Sequence, residues 1–158
     1  MDGYVLLKVA HVLGAAVLFG TGMGIAFFMV MAHRTGRAEL IAHTAGIVVV
    51  ADTLFTATAV VLQPVTGALL AVRAGYPLLS GWIAASLALY VVTGLFWLPV
   101  VWIQLRLRDL ARAAAAEGAP LPARYHRLYR VWFAFGWPAF AAVMAIFWLM
   151  VTKPELGG

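Results

Sequence analysis

Four long apolar runs separated by short polar segments occupy most of this 158-residue chain, and a soluble fold of this size cannot hide them. Hydrophobic residues make up 65% of the sequence and charged residues 11%, against about 45–50% and about 25% in an ordinary soluble domain. One small core cannot bury that much apolar surface, so lipid has to cover the rest. The runs extend over about residues 4–32, 44–72, 81–105 and 131–151, and each is at least as long as the roughly 20 residues that cross a ~30 Å hydrocarbon layer. The pattern predicts an all-α, four-helix transmembrane bundle forming a single integral membrane domain over residues 1–158. The first run is too long for a signal-peptide core. No small-residue cleavage site followed by a soluble domain appears, so this run reads as a retained helix.

The basic residues orient the bundle. Arg34 and Arg37 follow the first span, and Arg106, Arg108, Arg112, Arg124, Arg127 and Arg130 lie between the third and fourth; Lys8, Arg73 and Lys153 fall on the other side. The positive-inside rule places the arginine-rich connections in the cytoplasm. Both termini are then expected on the extracytoplasmic side of a bacterial inner (cytoplasmic) membrane. The net charge of +5 is therefore a topology signal. A nucleic-acid partner would call for basic residues spread over a folded surface, and none is expected. The expected partners are the lipid bilayer and a homo-oligomer or membrane complex. The chain has no cysteine, which excludes disulfides, zinc–thiolate and iron–sulfur sites and covalent haem attachment through Cys-x-x-Cys-His.

Smaller signals refine the spans. Gly75 and Pro77 mark a short turn between the second and third, and Glu117-Gly-Ala-Pro-Leu-Pro122 breaks the connection before the fourth. Between them, Arg106 to Ala116 is rich in strong helix formers and should continue the third helix out of the bilayer. Pro64, Pro99 and Pro138 sit inside spans and are expected to kink them. Gly14, Gly20, Gly22 and Gly24 should let the first helix approach a neighbour closely, and Gly20 and Gly24 have the four-residue spacing of a membrane-helix dimer motif. Tyr4, Trp82 and Trp148 stand at span ends, where an interfacial aromatic belt belongs.

Ionisable groups inside a spanning segment are costly and mark functional candidates. His11 lies about 10 Å along the first helix from its outer end, at ~1.5 Å per residue. A neutral imidazole there can ligate a haem iron, relay protons or hydrogen-bond a neighbouring helix. Lys8, one turn away on the same face, can snorkel to the interface or pair with an anionic group such as a propionate. Gln63 sits at about the depth of His11 and is placed to hydrogen-bond its ring. His33, His43 and His126 lie toward the opposite side, where they suit solvation, and none can pair with His11 as a second haem ligand within one subunit. Asp52 is the one acidic residue within a span. A carboxylate at that depth must be paired or protonated. Arg130 and Gln104 are the expected partners in an inter-helix clasp, with a proton relay as the alternative. No phosphate loop, His-Glu-x-x-His or nucleophile elbow is present.

Tyr4-Val-Leu-Leu-Lys-Val-Ala-His-Val-Leu-Gly14, Leu18-Phe-Gly-Thr-Gly-Met-Gly-Ile-Ala-Phe-Phe-Met-Val-Met31, Ala51-Asp-Thr-Leu-Phe55, Leu62-Gln-Pro-Val-Thr-Gly67, Trp97-Leu-Pro-Val-Val-Trp-Ile-Gln104, Gly136-Trp-Pro-Ala-Phe140 and Ile146-Phe-Trp-Leu-Met-Val-Thr-Lys-Pro154 together resemble the DUF2269 family of small integral membrane proteins. That family name implies no activity. A more distant resemblance links the chain to the HemJ-type protoporphyrinogen oxidases, which are also four-helix membrane proteins. Lys8 and His11 match their Lys-x-x-His in the first helix, where the histidine is associated with haem b. Arg127 and Arg130 match an Arg-x-x-Arg before the last helix, and Lys153 and Pro154 match a Lys-Pro near the end. The chain departs from that family in the third helix, where Gly81-Trp-Ile-Ala-Ala-Ser-Leu87 contains no lysine, and in the fourth, where Ala134-Phe-Gly-Trp-Pro138 replaces Asn-Glu-x-Pro. The resemblance implies a small membrane protein binding haem b in a redox role, with His11 as the metal ligand and Lys8 beside it; Gln63 joins this candidate cofactor site by its depth alone. The alternative is a non-catalytic membrane protein, such as an accessory subunit or a small carrier.

Overall fold

A computed structural model describes residues 3–155. In a bilayer each backbone N–H and C=O must find its partner within the segment, which favours helices, and no strand occurs among the described residues. Four helices are long and apolar enough to cross a membrane: α1 (Gly3–Arg34), α2 (Ala38–Arg73), α3 (Gly81–Glu117) and α4 (Ala123–Thr152). At 37 residues, α3 is the longest. Its arginine- and alanine-rich last turns extend beyond an apolar segment of bilayer length, as the sequence implies.

The connections are short, so chain neighbours pack antiparallel. α1 turns into α2 at Gly36, whose φ of +66° suits glycine. The Thr35 hydroxyl donates to the Ala32 carbonyl at 2.7 Å and accepts the Arg37 N–H at 3.2 Å. α3 ends on Gly118 in the left-handed conformation, with the Ala119 N–H returning to the Ala114 carbonyl at 2.9 Å, a common helix stop. One end of the bundle therefore carries the arginine-rich connections, and the other carries Gly3, the α2–α3 turn and Lys153. At this second end the Lys153 ammonium lies over the rings of Tyr76 and Trp82, at 5.4 and 5.8 Å from their centroids.

Packing differs sharply along the bundle. The dry core lies toward the arginine-rich end, where Ile25, Met29 and Ala32 of α1 meet Ile41, Ala42, Ala45 and Val48 of α2. Ile103, Leu107 and Ala111 of α3, with Tyr125 and Trp132 of α4, complete it. Past its midpoint α2 follows α1 rather than α3, although the Tyr90 hydroxyl on α3 still donates to the Val60 carbonyl. The change of partner coincides with a π-helical turn at Asp52–Thr56. Pro64, Pro99 and Pro138 lie inside their helices without ending them, so this departure from α geometry falls away from every proline.

The glycine expectation needs correction. A side chain at Gly20 or Gly22 would meet nothing within 4 Å, and one at Gly24 only the ring of Phe28 on the same helix. Gly14 is the α1 glycine at a close approach, because a Cβ there would overlap the Gln63 amide nitrogen.

Candidate functional site

Two polar junctions cross the apolar interior. The first joins α1 to the second half of α2. His11 Nδ1 lies 2.7 Å from the Thr66 hydroxyl, which itself donates to the Leu62 carbonyl at 2.7 Å. With its proton committed to Leu62, Thr66 accepts from the imidazole. That assigns the tautomer with the proton on Nδ1 and leaves the Nε2 lone pair free. Gln63 approaches from the same helix but does not reach the ring. Its amide donates to the His11 main-chain carbonyl at 2.9 Å, because Gly14 leaves room for the amide over the α1 backbone. Gly67 gives the ring its seat, since a Cβ there would lie 3.2 Å from His11 Cε1. Lys8 is exposed and makes no hydrogen bond or ion pair among the described residues. No group of three metal-ligating side chains occurs among the described residues.

The second junction lies on the other side of α2. Asp52 opens the π turn and is 5% exposed. The Gln104 amide of α3 donates to its Oδ2 at 3.2 Å, and the Trp132 indole of α4 donates to the Gln104 carbonyl oxygen at 3.1 Å. One chain of side chains thus ties α2, α3 and α4. Arg130 is not part of it: this residue is exposed on α4, and a neutral indole two positions along takes the place expected for its charge. Sequence reasoning missed Trp132, because an indole near the end of an apolar run reads as a belt residue. Asp52 Oδ1 makes no hydrogen bond to a described residue. Thr56 and Trp97 stand beside the carboxylate, but the Thr56 hydroxyl is buried without a partner.

Asp52, Thr56, Trp97, Gln104 and Trp132 form the polar end of a cavity of about 510 Å³. Its remaining walls are apolar apart from Thr93 and come mostly from α1 and α4. Phe19 packs on Phe140 and Phe147, at ring-centroid distances of 5.7 and 5.5 Å, and closes the α1–α4 seam toward the termini. His33 closes it toward the arginine-rich end. Its ring stacks on Tyr129 at 3.6 Å, and its Nδ1 lies 3.3 Å from the Tyr125 hydroxyl. Gly22 and Gly136 both line the cavity, and a side chain at either would meet nothing within 4 Å. Phe27, Phe133 and Trp137 line the same opening and are 60%, 45% and 62% exposed. The cavity therefore opens sideways, toward the lipid that covers the outer face. His11 does not line it.

Four spanning helices around a hydrogen-bonded interior define a multi-pass integral membrane protein. The chain belongs to the DUF2269 family, described as predicted integral membrane proteins, whose profile matches residues 5–154. No curated protein and no solved structure matches it.

Proposed function

We propose that this protein holds a small, largely apolar molecule inside the bilayer, in the cavity between α1 and α4, and serves as a small carrier or as an accessory subunit of a membrane complex. The observation that carries this reading is the placement of Asp52. An intramembrane carboxylate with one oxygen unpaired borders a cavity of about 510 Å³, within the roughly 300–1,000 Å³ range of small-molecule sites. A π turn at the same place adds support, because such turns recur at functional sites. A neutral lipophilic diazirine probe, photolysed with the protein in lipid nanodiscs, should label the peptides carrying Trp97, Trp132 and Gly136 in excess of other lipid-facing peptides. Filling the cavity with Gly136→Trp or Gly22→Phe should remove that excess. Even labelling of all exposed apolar faces would overturn the reading.

A second reading, haem b binding in a HemJ-like redox role, is favoured by the His11–Thr66 bond. A ligating histidine commonly donates its other ring nitrogen to a neighbouring acceptor, and here the Nδ1–H is so engaged while Nε2 stays free. His11 would hold the iron through Nε2, Lys8 one turn away would serve an anionic group, and haem would supply one-electron chemistry. The purified protein should then show a Soret band that disappears in His11→Ala and survives in His33→Ala, His43→Ala and His126→Ala. A colourless, folded protein removes this reading and leaves the first intact. For both readings the protein sits in a bacterial inner membrane with its termini outside. A cysteine at position 36 should be labelled only from the cytoplasmic face, and one at position 75 only from the periplasmic face.

A further inference from the structure

The side chains that line the cavity select the chemistry of its occupant. Its lining residues include one titratable group, Asp52; no lysine, arginine or histidine from α1, α2, α3 or α4 joins it. The Gln104 amide donates to its Oδ2, and the Thr56 hydroxyl and the Trp97 indole stand beside the carboxylate, so every group around it is neutral. An anion in a medium of low dielectric with only neutral donors around it is poorly compensated, and a cation is the complement that would compensate it best. The walls point the same way. Trp97, Trp132 and Trp137 line the cavity with Phe19, Phe27, Phe133 and Phe140. Aromatic faces attract organic cations through the ring quadrupole, tryptophan most strongly, and more so when water is excluded. The opening between α1 and α4 faces lipid, so the ligand must itself be soluble in the bilayer.

We infer that the cavity takes a lipophilic organic monocation, whose charge meets Asp52 and whose apolar groups lie against the tryptophan and phenylalanine walls. This rests on the cavity reading above and deepens it. Protons compete with such a ligand for the same carboxylate, so affinity rises with pH as Asp52 loses its proton.

The test uses two probes of one shape and opposite charge, tetraphenylphosphonium and tetraphenylborate, with the full-length protein in nanodiscs and protein-free nanodiscs as the partition control. Tetraphenylphosphonium should bind saturably and at least about tenfold more tightly than tetraphenylborate, a gap of about 1.4 kcal/mol. Asp52→Asn, which keeps the shape and the bond to Gln104, should remove that preference, and lowering the pH should weaken phosphonium binding in the wild type only. Gly136→Trp should block both probes, with Gly22→Phe as the second filling variant should the first misfold. Equal binding of the two probes, or an unchanged preference in Asp52→Asn, overturns the cation assignment; sensitivity to the filling variants would still uphold the cavity. Binding of neither probe, a lipid retained there through purification, or a second copy covering the α1–α4 opening also overturns it. The neutral diazirine probe then decides separately whether the cavity binds any small molecule.

Discussion

The two polar junctions are built from similar material and finished differently. At His11 the bonds close on themselves: imidazole to Thr66, Thr66 to Leu62, and Gln63 to the main chain of His11. Glycines at positions 14 and 67 let the helices press together around them. At Asp52 the chain of donors runs from Trp132 through Gln104 and ends on one oxygen of a carboxylate, with a cavity beside it. The first junction resembles a fastening, and the second a fastening with a free hand. Burial of a polar group in a membrane does not by itself distinguish structure from function; the remaining hydrogen-bonding capacity and the space beside it do.

The largest effect is expected from Gln104→Leu. It strands both the Asp52 carboxylate and the Trp132 indole N–H in the interior, and each buried group left unpaired costs about 1–3 kcal/mol. The midpoint of unfolding in mixed detergent should fall far more than for Leu98→Ala, a change at a lipid-exposed position of the same helix. A drop no larger than that control would mean that the second junction holds nothing together. Gly67→Ala should cost about 1–3 kcal/mol, the usual range for inserting a methyl group into a tight seam, because Thr66 pins the ring that would have to move. No loss there would show the first junction to be as loose as the second. The smallest effect belongs to Thr56→Val, which removes a buried hydroxyl without a partner while keeping the shape. Stability should stay within about 0.5 kcal/mol or rise slightly. A loss of about 1 kcal/mol or more would show that the hydroxyl donates to Asp52, making the second junction more nearly closed.

The spans were legible because hydropathy over 20 or more residues sums many small transfer energies into one signal. The extension of α3 past the bilayer was legible because Arg106 to Ala116 combines charge with strong helix formers. The polar positions His11, Gln63, Asp52 and Gln104 stood out for their rarity in apolar runs. Their partners did not, since partnership depends on how the helices are rotated about their axes. Gln63 reaches a carbonyl instead of the ring, Trp132 stands where Arg130 was expected, and Thr66 looked like any small polar residue in a span. The cavity was invisible for a related reason. Gly20 and Gly22 read as contact glycines, yet nothing packs on either of them; a missing side chain serves a close approach and an opening equally well, and only the position of the neighbouring helix decides between them.

The π turn at Asp52–Thr56 has one more consequence. Its backbone bonds span one residue more than α-helical ones, so it behaves as a one-residue insertion, and each residue of an ordinary helix advances the face by about 100°. Residues before the insertion address both α3 and α1, and those after it address chiefly α1. Deleting a single residue here, such as Thr53, would restore a plain α-helix and swing the whole second half around its axis, turning Gln63, Thr66 and Gly67 away from His11. One 36-residue helix serves two different neighbours because it is, in register, two helices joined end to end, and the joint carries the acid.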